Sequence, residues 1–168
     1  MAVVESAAAG LRAAAAGATV IQLRAPHLTA REIETEAMRL AAESPVTVVV
    51  SSRVDIAVAA NVAGVNLPEN DISVADARRL LGGRIVSRSV HSAAGARQAE
   101  LDGADYVIFG PVWESPSHPG ASAHGVAALK RIAQDATIPV VAIGGVTRER
   151  IPEVLEVCGG YAAISLFK

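Results

Sequence analysis

Disulfide partners, aromatic mass, basic runs and membrane-length apolar stretches are all scarce or missing in this chain. Cysteine occurs once, at Cys158. No internal disulfide can form, which suits a reducing cytoplasm as the expected location. Near the end of an apolar helix, Cys158 reads as a buried structural thiol. Aromatic residues make up 3% of the chain, so the core is built from small aliphatic side chains. The net charge is -2 and no basic run occurs, which argues against nucleic acid or an anionic membrane surface as a partner. No segment reaches the ~18 uncharged apolar residues of a membrane span. The Ala-rich start lacks a basic leader, so no signal peptide is expected. What remains is a 168-residue chain, 51% hydrophobic, long enough for one domain over 1–168 with a sizeable core.

The apolar pattern alternates between short β-branched runs and amphipathic segments. Residues 3–16 read as an Ala-rich helix stopped by Gly17. Strands are predicted over 18–23, 46–50, 64–67, 85–90, 106–109, 138–143 and 161–166. Between them, Thr29 with Glu32, and Ser73 with Asp76, read as helix starts of the capping-box kind. Ser92 caps a helix to Leu101, residues 126–133 form another, and Thr147 opens the last, with Pro152 inside it. Strand–helix alternation implies a parallel sheet with right-handed crossovers. The glycine pair Gly144-Gly145 follows a late strand, where barrels bind phosphate, so the expected fold is α/β, a TIM (β/α)8-type barrel. Seven strands are one short. The first strand and the last helix are expected to be absent, leaving open edges that seven-strand closure or a homodimer or higher homo-oligomer would cover.

In a barrel the strand C-termini face the site. Those positions hold Gln22, Arg24, Ser51, Ser52, Arg53, Asn66, Asp71, Ser89, His91 and Ser165. The longest loop, from Gly110 to Gly125, adds Glu114, Ser115, Ser117, His118 and His124. The set is rich in hydroxyls and poor in acids, as a site for a phosphorylated neutral ring would be. Gly144-Gly145 is the clearest anion turn, because glycine lets backbone N–H groups approach a phosphate. Arg24 offers a bidentate partner for phosphate or carboxylate. His91 and His118 are the acid/base candidates, with His124 and His27 ranked below them. Asp71 is a lone carboxylate and a poor magnesium site.

Read as motifs, IQLR (21–24), SRVDIA (52–57), GVNLPENDIS (64–73), RSVHS (88–92), GADYVIFGPVWESPSHPG (103–120) and IPVVAIGGVT (138–147) span nearly the whole chain. In this order they resemble the thiamine phosphate synthase / thiazole tautomerase (TenI-like) superfamily, and the 88–110 segment looks more like the TenI-like branch. The resemblance implies a (β/α)8 barrel and a phosphorylated thiazole as the small-molecule partner. The synthase joins a pyrophosphorylated aminopyrimidine to a thiazole phosphate and needs magnesium. The tautomerase aromatises a carboxythiazole phosphate by moving a proton, without metal.

Several departures bear on the choice. The synthase pattern has Asn-Asp where this chain has Ser51-Ser52, so one metal ligand is gone and Asp71 stands alone. The lysine two residues after the motif arginine is Pro26, and the loop pattern Thr-Pro-Thr-Lys reads Ser115-Pro116-Ser117-His118. The positions matching the family's thiazole-phosphate contacts are kept as Ser115, Ser117, Gly144, Gly145, Ile164 and Ser165. The branch with a histidine directly after Phe-Gly is not followed, since Pro111 stands there. These departures lead to the expectation of a TenI-like tautomerase in thiamine biosynthesis. His118 and His91 would be catalytic, Gln22, Arg24, Ser51, Ser89, Ser115 and Ser117 would bind substrate, and Gly144, Gly145, Ile164 and Ser165 would bind phosphate. No cofactor is expected, with magnesium at Asp71 only if synthase activity persists. The alternatives are a divergent synthase and a non-catalytic thiazole or thiamine phosphate-binding regulator.

Overall fold

The computed structural model describes residues 1–115 and 122–167. Among them eight parallel strands run in chain order, β1-β2-β3-β4-β5-β6-β7-β8. They are β1 (Ala2–Val4), β2 (Val20–Leu23), β3 (Thr47–Ser51), β4 (Gly64–Leu67), β5 (Ile85–Val90), β6 (Tyr106–Phe109), β7 (Val140–Ala142) and β8 (Gly160–Tyr161). Helices α1 (Ala7–Ala15), α2 (Ala30–Glu43), α3 (Val54–Ala59), α4 (Val74–Leu81), α5 (Ala93–Leu101), α6 (Gly125–Asp135) and α7 (Ile151–Val157) fill the crossovers, with a 3-10 turn over Arg148–Arg150 before α7.

The barrel-type α/β fold is as expected, but the missing first strand is not. β1 overlaps the start of the predicted 3–16 helix, because an Ala-Val-Val triplet runs directly into an Ala-rich segment. The two are divided by Ser6, whose Oγ accepts from Ala9 N at the start of α1. Nor are the edges open. Just past β8, Ala163 bridges to Ala2, with Val3 N donating to Ala163 O at 3.0 Å and Ala163 N to Met1 O at 3.1 Å. The reason given above for an oligomer, two exposed strand edges, therefore does not hold. After β8 no further helix occurs among the described residues.

Register divides the strand residues into two faces. Ile21, Val48, Val50, Val65, Leu67, Val86, Val107, Phe109 and Ala142 point outward and pack with Ala7, Ala37, Leu40, Ala77, Ala96 and Leu129 of the helices in one core. Small side chains let the layers approach: a Cβ on Gly10 of α1 would sit 2.8 Å from Leu40 Cδ2 and 3.1 Å from Ile21 Cγ2. The alternate face, carrying Gln22, Val49, Ser51, Asn66, Ser87, Ser89, Tyr106 and Ile108, lines the barrel interior. The capping box at Thr29 and Glu32 forms as predicted, and so do the caps at Ser73 and Ser92. No helix among the described residues is long and apolar enough to cross a membrane.

Candidate active site

The C-terminal half of the barrel interior is a belt of hydrogen-bonding side chains. Gln22 Nε2 donates to Ser51 Oγ at 2.7 Å. One strand further on, Asn66 Nδ2 donates to Ser89 Oγ at 2.9 Å, and Asn66 Oδ1 accepts from Ser87 Oγ at 3.0 Å. Gln22, Asn66 and Ser87 are all buried. Two buried atoms have no partner among the described residues, Gln22 Oε1 and the Tyr106 hydroxyl. Burial pushes the Tyr106 hydroxyl above its ordinary pKa, and Ser87 beside it tempers the rise. Buried polar atoms are normally paired. Gln22 Oε1 is thus an acceptor with no donor, close to the barrel mouth.

The rim above β4 and β5 carries a pair that sequence reasoning missed. His91 Nδ1 lies 2.7 Å from Glu69 Oε2, and His91 N donates to Glu69 Oε1 at 3.3 Å. Arg88 holds the loop that carries Glu69, donating to the carbonyls of Ile72 at 2.6 Å and Glu69 at 2.7 Å. Gly95 leaves room for the carboxylate, since a Cβ there would lie 3.0 Å from Glu69 Oε1. The clue was available, because adjacent parallel strands place the PEND loop after β4 beside the HS turn after β5. His124 was ranked low, yet its ring centroid is 6.4 Å from that of His91 and 5.1 Å from that of Phe109. Its N–H donates to Pro111 O at 2.9 Å, drawing the end of the long loop back over β6.

Partial burial alone would raise the Glu69 carboxyl. The hydrogen bonds from the His91 ring and backbone, with the nearby charges of His91 and Arg88, outweigh it and hold the carboxyl below its ordinary value. A depressed carboxylate stabilises the fold above its unfolded pKa, roughly 4.3, and that contribution is lost as pH falls through the folded value. Thermal unfolding between pH 7 and pH 3 is therefore expected to fall less steeply below about pH 4 in Glu69→Gln than in the parent chain. Equal slopes would show that the pair adds nothing to stability.

The remaining candidates are dispersed. Arg24 is exposed just beyond β2, and its N–H donates to Val4 O at 2.8 Å. Arg53 is engaged by Asp55. His27 is exposed in the loop before α2. Ser115 is half-buried at the root of the long loop, while Ser117 and His118 lie outside the described residues. Asp71 Oδ1 accepts from Ile72 N at 2.8 Å within its own loop. Ser52 follows β3 with φ +63°.

The Gly144-Gly145 turn is close-built. Both residues have positive φ, +92° and +65°, and a Cβ would meet Pro111 Cα at 2.6 Å from Gly144 or Glu114 O at 2.7 Å from Gly145. The turn therefore packs against the root of the long loop, where Val112 N donates to Ile143 O at 2.9 Å and Trp113 N to Gly144 O at 3.1 Å. Among the described residues no acceptor pairs with the N–H groups of Gly144, Gly145, Ile164 or Ser165. Arg150, also unforeseen, donates to Gly145 O at 2.6 Å and stacks on Trp113, Cζ 4.7 Å from the ring centroid.

Magnesium takes several oxygen ligands, usually one or two carboxylates with phosphate and water. Among the described residues no group of three His, Cys, Asp or Glu side chains could hold a metal ion. Asp71 accepts from the backbone N–H of Ile72, Glu69 is paired with His91, and a serine stands at position 52. The residues present do not fit a protein-built magnesium site.

Residues 2–167 match the family described as thiamine monophosphate synthase. The thiamine-phosphate synthase of Chloroflexus aurantiacus is 37% identical over 169 aligned positions, covering 98% of this chain and 76% of that protein. That of Methanoculleus marisnigri is 38% identical over 159 positions, covering 91% and 75%. A thiamine phosphate pyrophosphorylase structure from Pyrococcus furiosus superposes with a TM-score of 0.88 at 32% identity, over 98% of this chain and 83% of that one. FabK from Thermotoga maritima shares the fold alone, with a TM-score of 0.78 at 16% identity. The synthase name carried by these relatives supports coupling chemistry over the tautomerase expected from the motif departures.

Proposed function

Because the chain belongs to the thiamine monophosphate synthase family, we propose that it performs the synthase reaction. In that reaction the nitrogen of a phosphorylated thiazole forms a bond to the methylene of an aminopyrimidine as the carbon–oxygen bond to pyrophosphate breaks. The observation that carries this reading is the unpaired Gln22 Oε1, buried beside Ser51. It needs a donor. An aminopyrimidine brings an exocyclic N–H, whereas a carboxythiazole phosphate presents acceptors at its carboxylate, ring and phosphate. Gln22 and Ser51 together offer an acceptor and a hydroxyl to one edge of the pyrimidine. The N–H groups of Gly144, Gly145, Ile164 and Ser165 are the donors for the thiazole phosphate. Arg24, free of ion pairs among the described residues, is the fixed cation for the leaving pyrophosphate. The family reaction uses magnesium; the side chains here do not complete a site for it, and the protein's own contribution is binding, orientation and charge.

A second reading, proton transfer on a carboxythiazole phosphate, is favoured by the His91–Glu69 pair. Donation from Nδ1–H to the carboxylate leaves Nε2 with the lone pair of a general base. The test is to assay the purified chain for both reactions, with and without magnesium. Pyrophosphate release dependent on both substrates is the expected result. Ser52→Asp is expected to raise coupling in magnesium by about tenfold or more by returning a carboxylate to the metal. The backbone there already adopts the positive φ that Asp takes more readily than Ser. Aromatisation without coupling in both proteins would favour proton transfer. Binding of the phosphorylated thiazole without turnover would favour a non-catalytic regulator.

A further inference from the structure

We infer that Arg150 supplies the cation of the thiazole-phosphate site, with Trp113 as its support. The inference rests on the anion role of the Gly144-Gly145 turn given above and names the side chain that charges it. The turn's N–H groups carry only partial charge, and the first guanidinium groups after it are those of Arg148 and Arg150. Arg150 follows the turn directly on the 3-10 segment. Its NH1 is spent on Gly145 O at 2.6 Å, and its Cζ lies over the Trp113 ring, 4.7 Å from the centroid. It has no carboxylate partner within ion-pair reach among the described residues. Glu149 beside it is exposed, its carboxyl held below the ordinary value first by the Thr147 hydroxyl and also by the charges of Arg148 and Arg150, without an ion pair to Arg150. The guanidinium is therefore fixed in position by two contacts, neither of which neutralises it. An arginine held on an aromatic face keeps its remaining N–H donors aligned for a phosphate. The bond to Gly145 O joins this cation to the turn itself. Trp113 belongs to the root of the long loop, so the arrangement also ties that loop to the anion turn.

Trp113 is the only tryptophan, so tryptophan fluorescence reports on its surroundings, Arg150 among them. The experiment titrates the full chain with the phosphorylated thiazole, its unphosphorylated alcohol and inorganic phosphate, reading fluorescence and heat. Arg150→Gln is the informative variant, because its amide can still donate to Gly145 O while the charge is gone. Affinity for the phosphorylated thiazole is expected to fall about tenfold or more, and affinity for the alcohol to stay within roughly twofold. Arg150→Lys is expected to recover part of the loss, with a steeper dependence on salt. If the parent chain binds phosphorylated thiazole and Arg150→Gln binds it equally well, the inference fails and the anion turn stands. Equal losses for thiazole phosphate and alcohol would mark Arg150 as structural and also overturn the inference. If the parent binds neither phosphorylated thiazole nor phosphate, the anion turn and the inference fall together.

Discussion

Gly145→Ala is expected to cost the protein about 2–4 kcal/mol of stability and to weaken binding of the phosphorylated thiazole by about a hundredfold. Two effects add at this position. The residue sits at φ +65°, where a side chain costs about 1–2 kcal/mol. A Cβ would also lie 2.7 Å from Glu114 O and 2.7 Å from Trp113 Cβ, inside the root of the long loop. Relief requires the turn and the loop to separate, and the separation carries the anion donors and Arg150 apart together. Gly17→Ala isolates the first effect, because Gly17 has φ +94° and nothing within 4 Å. Its expected loss is about 1 kcal/mol, with thiazole-phosphate affinity unchanged. Urea unfolding and ligand titration on both variants check the pair. Equal losses of stability in the two would mean that the close approach at Gly145 carries no energy.

The elements most legible in the sequence were those with local chemistry. Ser92 through Leu101 and Ile85 through Val90 fall where their caps and β-branched runs put them, because capping and side-chain alternation are settled within a few residues. β1 failed for the same reason. Three residues, Ala2–Val4, are too few for a period, and the Ala-rich α1 begins three residues later. What makes Ala2–Val4 a strand is pairing with β2 and with Ala163, both remote in sequence. The last strand erred in the opposite sense: residues 161–166 are apolar except for Ser165, but only Gly160–Tyr161 pair with β7, and the chain then bends through Ile164 and Ser165.

The candidate site divides along the same line. Gln22, Ser51 and Ser89 were legible as strand-end polar residues, since position on a strand determines which face they occupy. Glu69 and Arg150 were not, because each acquires a partner through tertiary approach: Glu69 through the neighbouring β5 turn, Arg150 through Trp113, which packs against Gly145. His124 was ranked low for its nearness to the next helix, yet its ring lies beside those of Phe109 and His91. The substitutions at Ser51-Ser52 and Pro26 pointed away from the synthase, whereas relatives such as that of Chloroflexus aurantiacus carry its name across almost the entire chain. A few lost charges speak to how a substrate is held; similarity over the whole barrel speaks to descent.

Gln22→Met is expected to make the protein more stable and to remove its coupling activity. An unpaired buried amide oxygen costs about 1–3 kcal/mol, and Gln22 Oε1 is such an atom in a residue only 3% exposed. Methionine is unbranched and of similar length, so it fills the same space without a polar atom to satisfy. The lost donation to Ser51 Oγ is tolerable because Ser51 is half-buried at the strand end and its hydroxyl can turn to water. A net gain of about 1 kcal/mol follows, read as a higher denaturation midpoint at unchanged slope. Activity moves the other way. A site built to accept a hydrogen bond from an amine loses about a hundredfold or more in kcat/KM when the acceptor is removed. The carboxythiazole phosphate has no such donor, so its turnover, if the protein has any, would be nearly unaffected. A less stable Gln22→Met with coupling intact would mean that Gln22 is a structural residue whose oxygen is satisfied within the fold. A more stable variant without coupling would identify the unpaired oxygen as a strain on the empty barrel that the pyrimidine relieves, as expected where a binding site is held ready at the expense of the fold.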